Sequence, residues 1–308
     1  MRAFIFPGQG SQAVGMGVAL AGASRAARDV FDEVDEALGQ GLFRLMRDGP
    51  DDELKLTENA QPAIMAHSIA VFRTLGVELV DVASFVAGHS LGEYSALCAA
   101  GSFDLATAAK LLKLRGQAMQ QAVPVGEGAM AALLGADLAL AQKIADAAAQ
   151  GQVCTVANDN DPSQVVISGN KAAIDRAIEM AKDMGAKRAV PLPVSAPFHC
   201  PLMQPAAEAM RDALGYVVVQ QPVVPVFANV TAQAETDPDM IRNQLVEQVT
   251  GMVRWRESVG NMFDAGVHEF VEIGGKVLGA MVKRTAPEAK VTSVVTIEDV
   301  EALAKEIA

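Results

Sequence analysis

Cysteine is scarce in this sequence and follows no recognisable pattern. The 308 residues include three cysteines, Cys98, Cys154 and Cys200, whose spacing matches neither a zinc site nor a redox pair. An odd number of scattered cysteines is typical of a protein that stays in a reducing compartment. We therefore expect a cytoplasmic protein and no metal site.

Positive charge and long apolar runs are also lacking. Lysine and arginine number 25 against 37 aspartates and glutamates, which gives a formal net charge of −12. Because general nucleic-acid binding needs a cationic surface, this balance argues against a nucleic-acid partner. No apolar stretch approaches the roughly 20 residues that cross a bilayer, so we expect no membrane association. With 51% hydrophobic and 20% charged residues, the composition is that of a soluble globular protein.

What the sequence does contain is an alternation of short apolar strands and longer helices. Residues 3–6 are apolar, residues 84–87 are apolar after the first serine, and each run ends at a glycine-rich turn, which predicts two buried strands. Helices are predicted at 91–100 and at 105–121, where Asp104 can cap the N-terminus. This alternation predicts an α/β core with a mostly parallel, hydrolase-like sheet. Further core strands are predicted at 224–228, 268–273 and 292–295.

The middle of the chain has a different order of predicted strands and helices. Its predicted order is β-α-β-β-α-β, which is the ferredoxin-like pattern. We predict a small inserted domain at 128–193 and a catalytic core formed by 1–127 and 194–308. The polar run 158–162 (Asn-Asp-Asn-Asp-Pro) predicts a turn between two strands of the insert. The predicted strands of the insert are 130–134, 153–157, 164–168 and 188–192, and its predicted helices are 138–149 and 171–184.

The strongest chemical signal is the sequence Gly-His-Ser-Leu-Gly at residues 88–92, between a predicted strand and a predicted helix. In this G-x-S-x-G pattern a sharp turn exposes the serine hydroxyl, and the helix N-terminus directs amides at developing negative charge. The pattern predicts Ser90 as a nucleophile and the backbone amide of Leu91 as an oxyanion donor. An ordinary glycine-rich turn is the alternative, because the pattern alone is weak.

A nucleophilic serine needs a general base, and four histidines are available. His199 is the best candidate because the prolines around it fix its loop. A histidine that only caps this loop is the alternative. His67 has apolar helical neighbours and His89 is adjacent to Ser90, so both are interpreted as structural residues. An unperturbed histidine predicts that activity is lost below about pH 6.5.

Arg115 lies on the apolar face of a predicted helix. Its neighbours at three and four residues are Leu111, Leu112, Ala118 and Met119, so the guanidinium points into the interior. A buried guanidinium without an anion is very costly. Two interpretations follow. The anion is either an internal aspartate or glutamate, or the carboxylate of a substrate held through paired hydrogen bonds.

The turn Gly-Gln-Gly-Ser-Gln at residues 8–12 is a second candidate site. It matches a phosphate-binding loop only weakly, because Ala13 stands where a dinucleotide fingerprint would have its third glycine. A nucleotide-binding module is therefore a disfavoured alternative. A backbone amide of Gln9 directed at the Ser90 site is the better interpretation.

Together these motifs resemble one enzyme family. Residues 7–12 (PGQGSQ), 88–93 (GHSLGE), Arg115 and 195–199 (SAPFH) are similar to the pattern of malonyl-CoA:acyl carrier protein transacylases. Each motif alone is weak, but the combination is specific. The resemblance covers essentially the whole chain, including the predicted insert.

The resemblance implies roles for eight residues. It implies a Ser90–His199 dyad without a third carboxylate, in which a backbone carbonyl near Gln248 orients the histidine. Phe198, before the histidine, is typical of malonyl-selective rather than methylmalonyl-selective members. The other implied roles are the oxyanion donors Gln9 and Leu91, the malonyl-carboxylate ligand Arg115, and the pocket residues Gln61 and Phe198.

The resemblance also implies an activity. A malonyl group would pass from malonyl-CoA to the phosphopantetheine thiol of acyl carrier protein through a malonyl ester on Ser90, supplying fatty acid biosynthesis. No metal or bound cofactor is implied. The expected partners are malonyl-CoA and acyl carrier protein, and the expected state is a cytoplasmic monomer. A serine thioesterase or hydrolase that uses the same dyad is the alternative, since the sequence does not reveal whether water is excluded.

Acyl carrier proteins are acidic, as is this chain, so attraction between the two requires a local basic patch. Ordinary solvated charges are the alternative interpretation of the candidate residues. Two groups could supply the patch, Lys276, Lys283 and Arg284 in the core, and Lys182, Lys187 and Arg188 at the end of the insert.

Overall fold

The described part of the chain, residues 1–194 and 196–307 of a computed structural model, contains two separate β-sheets. The strands of the larger sheet are β1 (Arg2–Phe6), β2 (Phe85–Gly88), β7 (Val226–Phe227), β8 (Ala234–Glu235), β9 (Glu269–Ile273) and β10 (Lys290–Val294). Their order is β10-β9-β1-β2-β7-β8, and every pairing is parallel except that of β7 with β8.

The smaller sheet is antiparallel throughout. Its strands are β3 (Gly128–Leu134), β4 (Cys154–Asp161), β5 (Gln164–Asn170) and β6 (Arg188–Pro191). They lie in the order β4-β5-β3-β6, which is the ferredoxin-like arrangement.

Helices surround both sheets, and none in the described ranges is long and apolar enough to span a membrane. A short 3₁₀ turn occupies Pro201–Met203. The α-helices are α1 (Val18–Ala23), α2 (Arg25–Leu38), α3 (Leu42–Asp48), α4 (Asp51–Lys55), α5 (Thr57–Leu75), α6 (Leu79–Val82), α7 (Gly92–Ala99), α8 (Leu105–Gln121), α9 (Leu138–Ala149), α10 (Lys171–Ala181), α11 (Gln204–Gly215), α12 (Pro238–Gln248), α13 (Trp255–Asp264), α14 (Gly279–Thr285) and α15 (Ile297–Ile307).

Both faces of the larger sheet are buried. Successive side chains of β1 point to opposite faces, so Phe4 and Phe6 join the main apolar cluster while Ala3 and Ile5 pack with Trp255 on the other side. A parallel sheet covered by helices on both faces has strands that are apolar at every position. This is why residues 3–6 form an uninterrupted apolar run in the sequence.

The segment between β3 and β6 has a core of its own. Leu133, Ile144, Ile167 and Ile174 from its strands and helices form a cluster that is separate from the two clusters of the larger sheet. The predicted fold class, an α/β core with a mostly parallel sheet and a separate inserted sheet, is confirmed. The domain boundaries at residues 128 and 193 stay a prediction.

The predicted turn at 158–162 is wrong for most of its length. Strand β4 continues through Asp161, and the turn is restricted to the two residues before β5. Two register shifts in the β4–β5 pairing let β4 bend, and its outer edge then pairs with Val253 of the core. Asparagine and aspartate favour turns in general, but here their side chains are buried because partners on the core satisfy them.

Candidate active site

Ser90 lies on a strained turn between β2 and α7. Its φ of 54° is in the left-handed region, which non-glycine residues rarely adopt. The flanking glycines are required because a Cβ on Gly88 would lie 1.8 Å from the Gly92 carbonyl oxygen, and one on Gly92 would lie 2.4 Å from the Phe6 oxygen. The turn therefore has the geometry that G-x-S-x-G predicts, with the serine raised above the C-terminal end of β2.

The Ser90 hydroxyl is paired with His199. Ser90 Oγ lies 2.7 Å from His199 Nε2, and His199 Nδ1 lies 2.8 Å from the backbone oxygen of Gln248. A carbonyl oxygen only accepts hydrogen bonds, so Nδ1 carries the proton and Nε2 is free to accept from the serine. The predicted residues thus meet in the orientation that a serine–base pair requires.

Burial keeps His199 neutral. Its side chain is buried, and this burial together with the nearby Arg115 charge lowers its pKa to about 3. The lowered pKa therefore predicts a pH limit well below the 6.5 expected from the sequence. A neutral imidazole is the form that can accept the serine proton.

Gln9 and Leu91 border the same cavity as Ser90. Gln9 lies in the turn after β1, and Leu91 lies at the start of α7. No acceptor for either backbone amide is found among the described residues. Both amides are therefore available to an oxyanion formed at Ser90.

Arg115 is buried beside Ser90 without a carboxylate partner. Its Nη1 donates to Gln61 Oε1 at 2.7 Å, and its Nη2 donates to Gln248 Oε1 at 2.7 Å and approaches Ser90 Oγ at 3.3 Å. Its Nε has no acceptor, and no carboxylate oxygen of the described residues lies within 4 Å of it. The internal salt bridge considered from the sequence is not found, which leaves the charge available to a bound anion.

A cavity of about 440 Å³ connects these groups to solvent. Seven of the eight residues predicted for the site line it, and the eighth, Gln248, lies behind His199. Apolar side chains of Met119, Met130 and Leu192 form much of the remaining wall. Ser195, the first residue of the SAPFH motif, lies outside the described residues.

Sequence reasoning missed two residues behind Ser90. Asn229 accepts from the Ser90 amide at 2.7 Å and donates to the Gly88 oxygen at 2.7 Å, so it fixes both ends of the strained turn. Glu93, on the first turn of α7, accepts from Gln248 Nε2 at 2.7 Å and from the Asn229 amide at 3.2 Å. A charged residue in an otherwise small and apolar helix was a usable signal for Glu93, whereas nothing local in the sequence marks Asn229.

His89 and His67 lie in structural environments. His89 lines the same cavity as Ser90, and its Nε2 lies 2.8 Å from Asn160 Oδ1 in the inserted segment. His67 is buried within α5. No group of three or more His, Cys, Asp or Glu side chains within 1–194 and 196–307 is arranged to hold a metal ion.

The strand, the strained turn and the Ser90–His199 pair are the arrangement of α/β enzymes that act through an activated serine. Residues 3–302 match the family model of the acyl transferase domain. The chain is 46% identical over 283 residues to the malonyl CoA-acyl carrier protein transacylase of Escherichia coli K12, which covers 92% of each protein. The protein therefore belongs to the malonyl CoA-acyl carrier protein transacylase family, and it is an acyltransferase.

Solved structures agree with this assignment over the full length. The acyl-carrier-protein-S-malonyltransferase of Bartonella henselae is 51% identical, with a TM-score of 0.97 over 99% of both chains. A malonyl-transacylase solved in complex with its type II PKS acyl-carrier protein is 40% identical, with a TM-score of 0.96 over 99% of both chains. The likeness therefore includes the inserted sheet as well as the larger one.

Proposed function

We propose that this acyltransferase moves a malonyl group from malonyl-CoA to the phosphopantetheine thiol of acyl carrier protein through a malonyl ester on Ser90, and so supplies fatty acid biosynthesis. The observation that carries the proposal is the buried guanidinium of Arg115, 3.3 Å from the Ser90 hydroxyl and without a carboxylate partner in the described residues. A malonyl group is an acyl group with a free carboxylate. Arg115 would bind that carboxylate while the thioester carbonyl lies at Ser90.

Acylation begins with attack of Ser90 Oγ on the thioester carbonyl, while His199 Nε2 takes the hydroxyl proton. The carbonyl oxygen becomes an oxyanion, which the amides of Gln9 and Leu91 stabilise. When this tetrahedral intermediate collapses, the carbon–sulfur bond breaks and the CoA thiolate takes the proton from His199. The cycle needs no metal ion or bound cofactor.

Deacylation runs the same steps in reverse with a different thiol. The phosphopantetheine thiol of the carrier gives its proton to His199 and attacks the ester, and the Ser90 oxygen then leaves and regains the proton. The relatives named for this activity, and the neighbour solved with its acyl-carrier protein, support the carrier as the acceptor.

The bound carboxylate also helps the base. Burial first, and then the positive charge of Arg115, lowers the pKa of His199, so protonation of the imidazole is unfavourable while no anion is bound to the guanidinium. A malonyl carboxylate on Arg115 would neutralise that charge at the moment when His199 takes the proton. Acyl groups without a carboxylate would lack this compensation, which favours malonyl over acetyl donors.

Intact-mass measurement tests the proposal. After mixing with malonyl-CoA the protein should gain one malonyl group, which holo acyl carrier protein should remove and accept. The Ser90→Ala variant should gain no mass. Malonyl retained by this variant at another residue would overturn the assignment of Ser90, and release of free malonate that outpaces transfer to the carrier would favour the hydrolase alternative.

A further inference from the structure

Glu93 is a buried carboxylate that the proposed cycle does not use. It lies on the first turn of α7, three residues after Ser90, and only 3% of its surface is exposed. A single oxygen, Oε2, accepts both the Gln248 side-chain amide at 2.7 Å and the Asn229 backbone amide at 3.2 Å. Burying a carboxyl group is costly unless it is hydrogen-bonded, and these two bonds offset part of that cost.

Each of the two donors holds part of the site. Gln248 accepts from His199 through its backbone oxygen at 2.8 Å and from Arg115 through its side-chain oxygen at 2.7 Å. Asn229 accepts from the Ser90 amide at 2.7 Å. Ser90, His199 and Arg115 are therefore each connected to Glu93 through one intervening residue, which is Gln248 or Asn229.

The orientation of the Gln248 amide depends on Glu93. The amide has one acceptor and one donor end, and it presents oxygen to Arg115 only while its nitrogen faces an acceptor. That nitrogen donates to Glu93 Oε2 and to the Ser90 backbone oxygen. Without Oε2, the nitrogen keeps only the longer of its two bonds, to the Ser90 oxygen, and the amide that faces Arg115 is held less firmly.

We propose that Glu93 is a positioning residue for acyl transfer, which acts by holding Gln248 and Asn229 through its Oε2 oxygen. Like the proposed function, this inference concerns the Ser90 site, but its test does not require malonyl-CoA. A fluorophosphonate that labels activated serines reports the Ser90–His199 pair alone. Failure of the malonyl proposal and failure of this one are thus distinguishable.

Three variants separate the possible roles of Glu93. Glu93→Leu removes the acceptor at similar volume. Glu93→Asp keeps the carboxyl group but withdraws the oxygen by one methylene, and Glu93→Gln keeps the length and one acceptor oxygen. We expect the labelling rate per folded molecule to fall about 10- to 100-fold in Glu93→Leu and Glu93→Asp. In Glu93→Gln the labelling rate should stay within about threefold of wild type.

Glu272 provides the matched control. It is also fully buried in the core, and its side chain accepts the backbone amides of Val277, Leu278 and Gly279, which do not contact Ser90. Glu272→Gln should lower the melting temperature without changing the labelling rate of the folded protein. If Glu93→Leu does not fold, Glu93→Asp decides the question. A Glu93→Asp variant that labels like wild type, or a Glu93→Gln variant as slow as the Asp variant, would overturn the proposal.

Discussion

Two regions of this protein bury charged side chains, and they satisfy them differently. Behind Ser90, the Arg115 guanidinium is held by the glutamine amides of Gln61 and Gln248. At the seam, by which we mean residues 159–161 of β4 and their partners on the core, Asp159 pairs with Arg256 at 2.8 Å and Asp161 with Arg284 at 2.6 Å. The seam arginines are in direct contact with carboxylates, whereas the site arginine contacts none in the described residues.

This difference separates structure from chemistry. A neutral amide accepts the hydrogen bonds of a guanidinium but leaves its charge to attract a ligand. A carboxylate accepts the hydrogen bonds and also neutralises the charge. The seam joins the inserted segment to the core, and the site keeps a guanidinium without a directly bound carboxylate next to a nucleophile. We expect substitutions in the site to change rate and selectivity, and substitutions in the seam to change the free energy of unfolding.

The largest effect is expected at the base. His199→Ala should slow acylation by malonyl-CoA about 10³- to 10⁴-fold, because the Ser90 hydroxyl then has no proton acceptor. In the wild type the pKa of about 3 keeps the imidazole neutral across the ordinary range, and only protonation below that pKa removes the base. The acylation rate of the free enzyme should therefore not fall on acidification through pH 6.5. Stopped-flow acylation at several pH values checks both expectations, with His89→Ala as the control that should retain most of the rate.

The next effect concerns selectivity. Arg115→Ala should reduce malonyl transfer relative to acetyl transfer at least about 100-fold, because the free carboxylate loses two charge-assisted hydrogen bonds. Acetyl transfer should be kept or increased, since His199 no longer lies beside a positive charge. The measurement is kcat/KM for both donors. Equal losses of kcat/KM for both donors would contradict a role in carboxylate binding. Arg256→Ala at the seam is the control, and it should leave the ratio of the two kcat/KM values unchanged.

Much of the site was readable from the sequence because its signals are local. Gly88 is required by a contact within the same turn, and the apolar neighbours of Arg115 are within four residues of it. Gly92 is required by its close approach to Phe6 of β1, but the G-x-S-x-G pattern marks it locally. The backbone acceptor at Gln248 came only from the family resemblance. Its side-chain role was not visible, because the bonds to Arg115 and Glu93 join residues more than 130 positions apart.

The seam was misread for a related reason. Residues 158–162 have a composition that favours a turn, and local propensity alone gives no other interpretation. In the structure Asn160 contacts His89, and the aspartates on either side of it contact arginines about 100 residues later in the chain. Tertiary partners therefore override the turn propensity, and no spacing within the run could have indicated them.

A smaller effect is expected for stability at the seam. Arg256→Ala leaves the fully buried Asp159 carboxylate without its cation, which should lower the free energy of unfolding by about 2 kcal/mol, less than for a fully buried pair because Arg256 is 32% exposed. Urea unfolding measures the change. Arg73→Ala is the control, since its partner Glu33 lies at the surface and the loss should stay below about 1 kcal/mol. A labelling rate of folded Arg256→Ala far below wild type would show that the seam also supports the site.

The smallest effect is expected for docking of the carrier. Of the two basic groups identified in the sequence, the core group is engaged, because Arg284 pairs with Asp161 and Lys283 donates to the Ala289 oxygen. In the insert, Lys187 and Arg188 are exposed and form no ion pair within the described residues. Lys187 also lines a depression that Arg284 borders, so charges from both groups meet at one place on the surface.

Charge reversal of Lys187 and Arg188 together is therefore the cleaner test, since reversal at Arg284 would also break its pair with Asp161. We expect the KM for acyl carrier protein to rise about three- to tenfold while acylation by malonyl-CoA changes less, because the carrier takes part only in the second half-reaction. Added salt should weaken the wild-type carrier reaction, since exposed charges are screened over about 10 Å at 0.1 M. Equal salt dependence in wild type and variant would remove these two residues from the docking surface. In that case Lys182, exposed on the same segment, and the engaged core group would be the remaining candidates.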